Sequence, residues 1–195
     1  MSDLLSDIDP GRMAVCFRTL GPSGLPAAFM KDPRFTERFA DIVRCHYGLQ
    51  EINEREGDEI DRAIASLPRP ELEGLAARAG IVLHARAFIQ EIRGRVLAAL
   101  GDRFGADALE DARRHAGLAG ERPNPVDLDA LEMAVRRDGQ ACLAGWIATL
   151  PQSLARRVRL KWPNDAAVPM TDDAIAIERG PAILWRLADD ASLRS

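Results

Sequence analysis

The chain is short of lysine, of aromatic residues and of cysteine, and each shortage excludes something. Of its 26 basic residues only Lys31 and Lys161 are lysines, which leaves 24 arginines. With abundant Ala, Gly and Pro, that bias reads as a GC-rich coding preference, so arginine number alone carries little functional weight. Aromatic residues make up 5%, with one Tyr, which leaves few rings on which nucleic-acid bases could stack. Cys16, Cys45 and Cys142 are an odd set without a CxxC, so neither a disulfide framework nor a zinc site is indicated. Free buried thiols in a reducing compartment are the expectation. No apolar run approaches the roughly 18 residues of a spanning helix. The opening residues are acidic, where an export signal needs a basic start. A cytoplasmic protein is therefore expected. There is also no GxGxxG, no GxxxxGK[ST] and no HExxH, so the common nucleotide cradles and zinc-protease helix are absent.

What remains is a globular composition. The 195 residues are 47% hydrophobic and 29% charged, with a net charge of −4. That length is one ordinary domain or two very small ones, and it can hide roughly 70% of the surface exposed by the unfolded chain. The mild acidity argues against a protein whose main task is to coat nucleic acid or an anionic membrane.

Helical periodicity dominates. Residues 1–30, punctuated by Pro10, Gly11, Gly21, Pro22, Gly24 and Pro26, read as an irregular arm with at most one short element near Met13–Leu20. Residues 31–195 read as the helical domain. Asp32-Pro33 opens a helix whose face carries Phe35, Phe39, Ile42, Val43 and His46, and Gly48 is its stop. Ile60, Ile64 and Leu67 mark a short helix ended by Pro68. Leu72, Leu75, Ala76 and Ala79 mark the next, with Gly80 as an interruption. Ile81–Leu100 has the widest apolar stripe and reads as a central helix. A short helix over Ala108–Ala116 and a long loop or hinge over Gly117–Pro125 follow. Asp127 or Asp129 then caps a helix running to Leu150. Residues 154–162 fit a helix through Leu154 and Val158, but also an alternation of Val158, Leu160 and Trp162 with basic residues. Thr171 is positioned to cap a further helix, Gly180-Pro181 reads as a break, and Ile183, Leu184 and Leu187 form the last helix. No repeat is visible and no strand signal is strong. The expectation is an all-α bundle of about six to eight helices.

Little in the chain suggests catalysis. Cys45 and His46 are adjacent, and neighbouring helical residues point about 100° apart, which does not suit a nucleophile and its base. His84, at the start of an apolar stretch, fits a hydrogen-bonded core histidine, and His115 suits a helix C-terminus. No catalytic, cofactor-binding or metal-binding residue is indicated. Charge distribution is more informative. Residues 51–61 carry Glu51, Glu54, Glu56, Asp58, Glu59 and Asp61 against Arg55 alone, whereas Arg156, Arg157, Arg159 and Lys161 fall within six residues. Each is either a solvated face or an electrostatic dock. The partner-binding candidates are therefore Arg156, Arg157, Arg159 and Lys161 on one side, and Glu54, Asp58, Glu59 and Asp61 on the other. A helical nucleic-acid-binding regulator and a small helical enzyme are the alternatives to a protein adaptor.

Three stretches carry a resemblance. They are Pro26–Phe29, then Leu72–His84 with its Gly80 and apolar triplet ending in His, then Gly139–Pro163 ending in Arg-Leu-Lys-Trp-Pro. In this order they resemble the K-subunit family of bacterial type III secretion systems, SctK, which includes the YscK- and PscK-like proteins. The resemblance spans roughly residues 25–163. It implies a non-catalytic subunit of the cytoplasmic sorting platform, peripheral to the inner-membrane apparatus. Such a subunit would link the cytoplasmic domain of the ring's D-subunit to the Q-subunit of the pods. It implies no cofactor, no nucleic-acid partner and no membrane insertion.

Overall fold

A computed structural model describes residues 4–18, 33–49 and 57–192. Among these no strand occurs, which meets the all-α expectation. The helices are α1 (Leu4–Asp7), α2 (Pro10–Arg18), α3 (Pro33–Tyr47), α4 (Glu59–Ser66), α5 (Arg69–Leu83), α6 (Ala85–Ile89), α7 (Gly94–Phe104), α8 (Ala108–Arg114), α9 (Leu128–Thr149), α10 (Gln152–Arg159) and α11 (Ala174–Ser192). Two single 3₁₀ turns lie at Ala116–Leu118 and Asp165–Ala167. The chain divides into two compact units. One comprises the described residues up to Arg69 with Leu150–Val168; the other comprises Pro70–Thr149 and the described residues from Pro169 onward.

The first unit is organised around α2 and α3. Pro10 begins α2, where a missing N–H costs nothing, and the Asp9 carboxylate accepts the Gly11 N–H at 2.8 Å. α2 thus starts three residues earlier than the expected element, and α1 precedes it. The rest of the expected arm lies outside the described residues. Met13, Cys16 and Phe17, at i, i+3 and i+4, are buried with Phe39, Val43 and Leu49. The Phe17 and Phe39 rings meet edge to face, 5.4 Å apart. Gly48 ends α3 with φ +59°, the left-handed stop expected of it. His46 leaves the apolar face assigned to it and is exposed. Pro151 precedes α10, which buries Leu154 and Val158. The alternating reading of 158–162 is overturned. The chain instead folds back in turns, with Lys161 N bonded to Val158 O and Trp162 N to Arg159 O. Leu160 thereby joins the core of α2 and α3.

The second unit depends on glycine in the middle of helices. Gly80 was expected to interrupt, yet α5 runs straight through it. A Cβ there would lie 2.0 Å from the Val135 carbonyl oxygen, and one at Gly139 would lie 2.1 Å from that of Ala76. These glycines permit α5 and α9 to cross in backbone contact. Gly145 and Gly180 do the same for α9 and α11, where added Cβ atoms would lie 2.7 Å from the carbonyls of Ala176 and Cys142. Gly180-Pro181 is therefore no break, because α11 continues through both, although Pro181 gives no N–H to the helix ladder. The cap of α11 is Asp173, which accepts the Ala176 N–H at 3.0 Å; Thr171 forms the turn before it, accepting from Asp173 N. Asp127 caps α9 through Ala130 N at 2.8 Å.

The expected central helix over Ile81–Leu100 is also corrected. It is divided among the end of α5, α6 and α7. His84 leaves the helical region at φ −96°, ψ 19°, and the Glu91 carboxylate accepts from Ile92 N and Arg93 N, turning the chain before α7. The long central element is α9. The loop before it is present as expected but fastened: Gly120 N bonds to Leu83 O at 3.1 Å, and Arg122 pairs with Asp173 at 2.7 Å.

Candidate functional site

The basic run does not form one face. Arg156 and Arg159 are exposed, Arg157 is half-buried, and Lys161 is only 4% exposed. Lys161 lies inside because the turn after α10 carries it inward. Its ammonium donates to the Leu67 carbonyl at 2.9 Å and stands 3.6 Å from Asp7. Burial lowers its pKa, and Asp7 opposes that shift. Arg156 Nη1 donates to the Gly48 carbonyl at 3.0 Å, which sets α10 beside the C-terminal end of α3. Arg157 keeps a buried Nε–H that meets no acceptor, as does Arg44 on α3.

Of the acidic candidates, Glu54 lies outside the described residues. Asp58 and Glu59 are exposed at the start of α4, and Asp61 is buried at 7% exposure. Gly57 lies against Pro151 and Leu154, and α4 packs on α10. The acidic residues 58–61 and the basic run therefore sit on neighbouring helices of one unit, not at opposite poles.

The chemically richest cluster is in the second unit, and sequence reasoning saw only one of its members. His84 Nε2 and Asp138 Oδ2 are 2.8 Å apart, with side chains 4% and 1% exposed. His84 is thus the hydrogen-bonded core histidine expected, with a carboxylate as its partner. Asp138 also accepts Arg137 Nε at 2.6 Å, and Arg122 Nε lies 3.5 Å from it. Burial lowers the His84 pKa, and the Asp138 bond only partly offsets this, so the imidazole is neutral and donates Nε2–H. Burial raises the Asp138 pKa, but Arg137, His84 and Arg122 outweigh it and hold the carboxyl below its usual value. Asp138 had a visible sign in the sequence: it falls between Val135 and Cys142 on the apolar stripe of α9, where an acid needs partners.

Other titratable groups are held by local partners, buried or exposed. His115 caps α8 and meets Asp190 at 3.1 Å. Asp111, 1% exposed, is held by the Arg78 fork at 2.7 and 2.9 Å. Cys16 and Cys142 are buried, and burial pushes the Cys142 thiol up to about 12. Cys45 and His46 are exposed, with the His46 ring edge-on to Tyr47. Among the described residues no group of three or more His, Cys, Asp or Glu is placed to hold a metal. A groove of about 480 Å³ runs between α7 and the start of α9, lined by Ala87, Val96, Leu100, Pro125, Leu128 and Leu131. Its two carboxylates are engaged. Glu91 pairs with Arg93, which holds it at about 2, and Asp127 caps α9. Val126 in its wall and Ile92 in the loop beside it are 94% and 86% exposed.

Fold and site together define an all-helical protein whose buried carboxylates Asp111 and Asp138 pair with basic side chains and whose groove carries no histidine. Over 92 residues, 47% of this chain, it is 35% identical to the nodulation protein NolU of Rhizobium fredii. The same identity and coverage hold for nodulation protein NolU of Sinorhizobium fredii (strain NBRC 101917 / NGR234). The match spans 43% of the length of these relatives. No protein-family model matches the chain. No solved structure matches it. No helix among the described residues is long and apolar enough to cross a membrane.

Proposed function

We propose that the chain is a non-catalytic adaptor of a bacterial type III secretion sorting platform, acting in the cytoplasm beside the inner-membrane ring. Its partners would be the cytoplasmic domain of the D-subunit and the pod-forming Q-subunit. The observation that carries this reading is the meeting of two of the stretches that resemble the K-subunit family. Gly80 and His84 of the first face Val135 and Asp138 on α9, and Gly139 of the second faces Ala76. Residues far apart in sequence thus form one rigid crossing, which suits a protein that must hold binding surfaces in fixed positions. The likeness to a rhizobial nodulation protein supports a bacterial role in dealings with a host. The enzyme alternative finds little footing, since His84–Asp138 is closed to solvent and the groove carries no free acid or base.

The test is co-purification of the full chain with each of the two proposed partner subunits. Both should be retained, and reversing the exposed Arg156 and Arg159 should weaken one while sparing the other. Retention of neither subunit by the wild-type chain would overturn the reading. A salt-sensitive gel shift with DNA or RNA, lost in the same double reversal, would replace it with the nucleic-acid alternative.

A further inference from the structure

The last turns of α3 and α10 bring together arginines whose charge is only partly answered among the described residues. Arg44 lies in the last turn of α3, and Arg156 binds the Gly48 carbonyl four residues on, so the following Arg157 is carried toward Arg44. Both guanidinium groups have a covered Nε–H with no acceptor. A covered donor left without an acceptor is unfavourable, and the pair carries two of them. The nearby anions do not cancel the charge. Asp41 takes only Arg44 Nη1, at 2.6 Å, and is itself 65% exposed; Asp7 lies 3.6 Å from Lys161. Among the described residues, Asp41 and Asp7 are the carboxylates that act on Arg44 and Arg157, while Asp58, Glu59 and Asp61 lie on α4, which packs on α10. Burial and the Arg44 charge both lower the Arg157 pKa, and Asp7 acts against them.

We propose that Arg44 and Arg157 form a carboxylate-accepting cradle at the junction of α3 and α10, which takes an acidic peptide segment of a partner protein. A guanidinium presents Nε–H and one Nη–H as a planar fork that matches the two oxygens of a carboxylate. Turning the last side-chain torsions brings the covered Nε–H forward, and the Arg44 side chain, 34% exposed, has the freedom to do so. An arriving Asp or Glu then satisfies both orphaned donors and removes the repulsion between the two arginines. A phosphate backbone would need a row of such cations, whereas the cluster is compact, and of the rings in this unit Trp162 is buried at 3% exposure and Tyr47 is half-buried.

The probe is fluorescein-labelled hexaglutamate, titrated by anisotropy into the full chain at low salt. Wild type should bind, and Arg44→Gln and Arg157→Gln should each weaken binding about tenfold. The double variant should lose less than the product of the two, because both side chains grip one carboxylate. Arg157→Lys should fall between, as it keeps the charge without the fork. Arg136→Gln, an exposed arginine of the other unit, should bind as wild type. Helical circular dichroism of every variant should be unchanged, which separates lost binding from lost fold. The proposal is overturned if wild type ignores hexaglutamate or if the double variant binds it equally well. It is also overturned if a single-stranded oligonucleotide of equal charge displaces the peptide at lower concentration. No secretion subunit enters this test, so its failure leaves the adaptor reading untouched.

Discussion

The second unit sets its buried guanidinium groups against carboxylates, and the first sets two arginines near each other. In the second, Arg78 forks onto Asp111, His84 and Arg137 converge on Asp138, and Arg122 pairs with Asp173. Arg122 also keeps Nε and Nη2 buried without an acceptor, but it stands between two carboxylates, Asp138 at 3.5 Å from Nε and Asp173 at 2.7 Å from Nη1. In the first, Arg44 and Arg157 each keep a covered Nε–H without an acceptor, and the charge of one acts against that of the other. A paired buried charge contributes fixed geometry, whereas an unpaired half-buried one is a standing demand for a partner.

The largest effect should come from breaking the glycine crossing. Gly139→Ala gains about 1 kcal/mol of helix propensity. Its Cβ would lie 2.1 Å from a backbone carbonyl, so α5 and α9 must separate, a strain of about 3 kcal/mol or more. The strain wins, and the melting temperature should fall by roughly 10 °C. Gly74→Ala on α5, with nothing within 4 Å, should instead stabilise by about 0.5–1 kcal/mol. A Gly139→Ala protein that melts like wild type would mean that the crossing is not tight.

These glycines also show how much of the fold the sequence makes readable. Caps and stops were readable: Asp127 before α9, Gly48 after α3, Pro68 after α4. Gly80 and Gly180-Pro181 read as breaks because propensity is local, while their use, backbone contact with α9, is set by a helix far away in sequence. The same holds for the candidate site. The basic run was visible as charge, but the burial of Lys161 depends on a turn, and Arg44 had no local sign that α10 would come beside it. Asp138 was the exception, an acid on an apolar stripe.

The next effect tests charge pairing. Arg78→Met leaves the Asp111 carboxylate, 1% exposed, facing no fork, and should cost about 3 kcal/mol by chemical denaturation. The double variant Arg78→Met/Asp111→Leu should recover most of that loss. If it recovers none, the pair contributes nothing specific and the contrast between the units weakens.

A smaller effect should follow pH. His84 has a folded pKa below its unfolded value because burial disfavours the imidazolium. Between the two values the unfolded chain binds the extra proton, so stability falls as pH drops below about 6.5, the unfolded value. Above that value this term is absent. The melting temperature should therefore decline from pH 7.5 to 5.5 in wild type. In His84→Gln, which keeps a donor to Asp138 but does not titrate, the decline should be shallower. Equal slopes would show that His84 is not the group responsible.

The smallest effect is the most direct comparison, because it repeats one substitution in the other unit. Arg157→Met keeps most of the aliphatic stem, which contributes to packing beside α3, and removes the guanidinium. In Arg78 that group answers a buried carboxylate; in Arg157 it meets the like charge of Arg44 and has an Nε–H without an acceptor. Removing it deletes a repulsion and an unmade hydrogen bond, against a weak attraction to Asp7. Because Arg157 is only half-buried, solvent screens each term, and the net change should stay within about 0.5 kcal/mol, with neutral or positive sign. Denaturant midpoints for the two methionine variants, measured side by side, read the contrast as a difference in sign. A loss at Arg157 as large as that at Arg78 would mean that the arginine already has its partner within the chain. The first unit would then be as closed as the second.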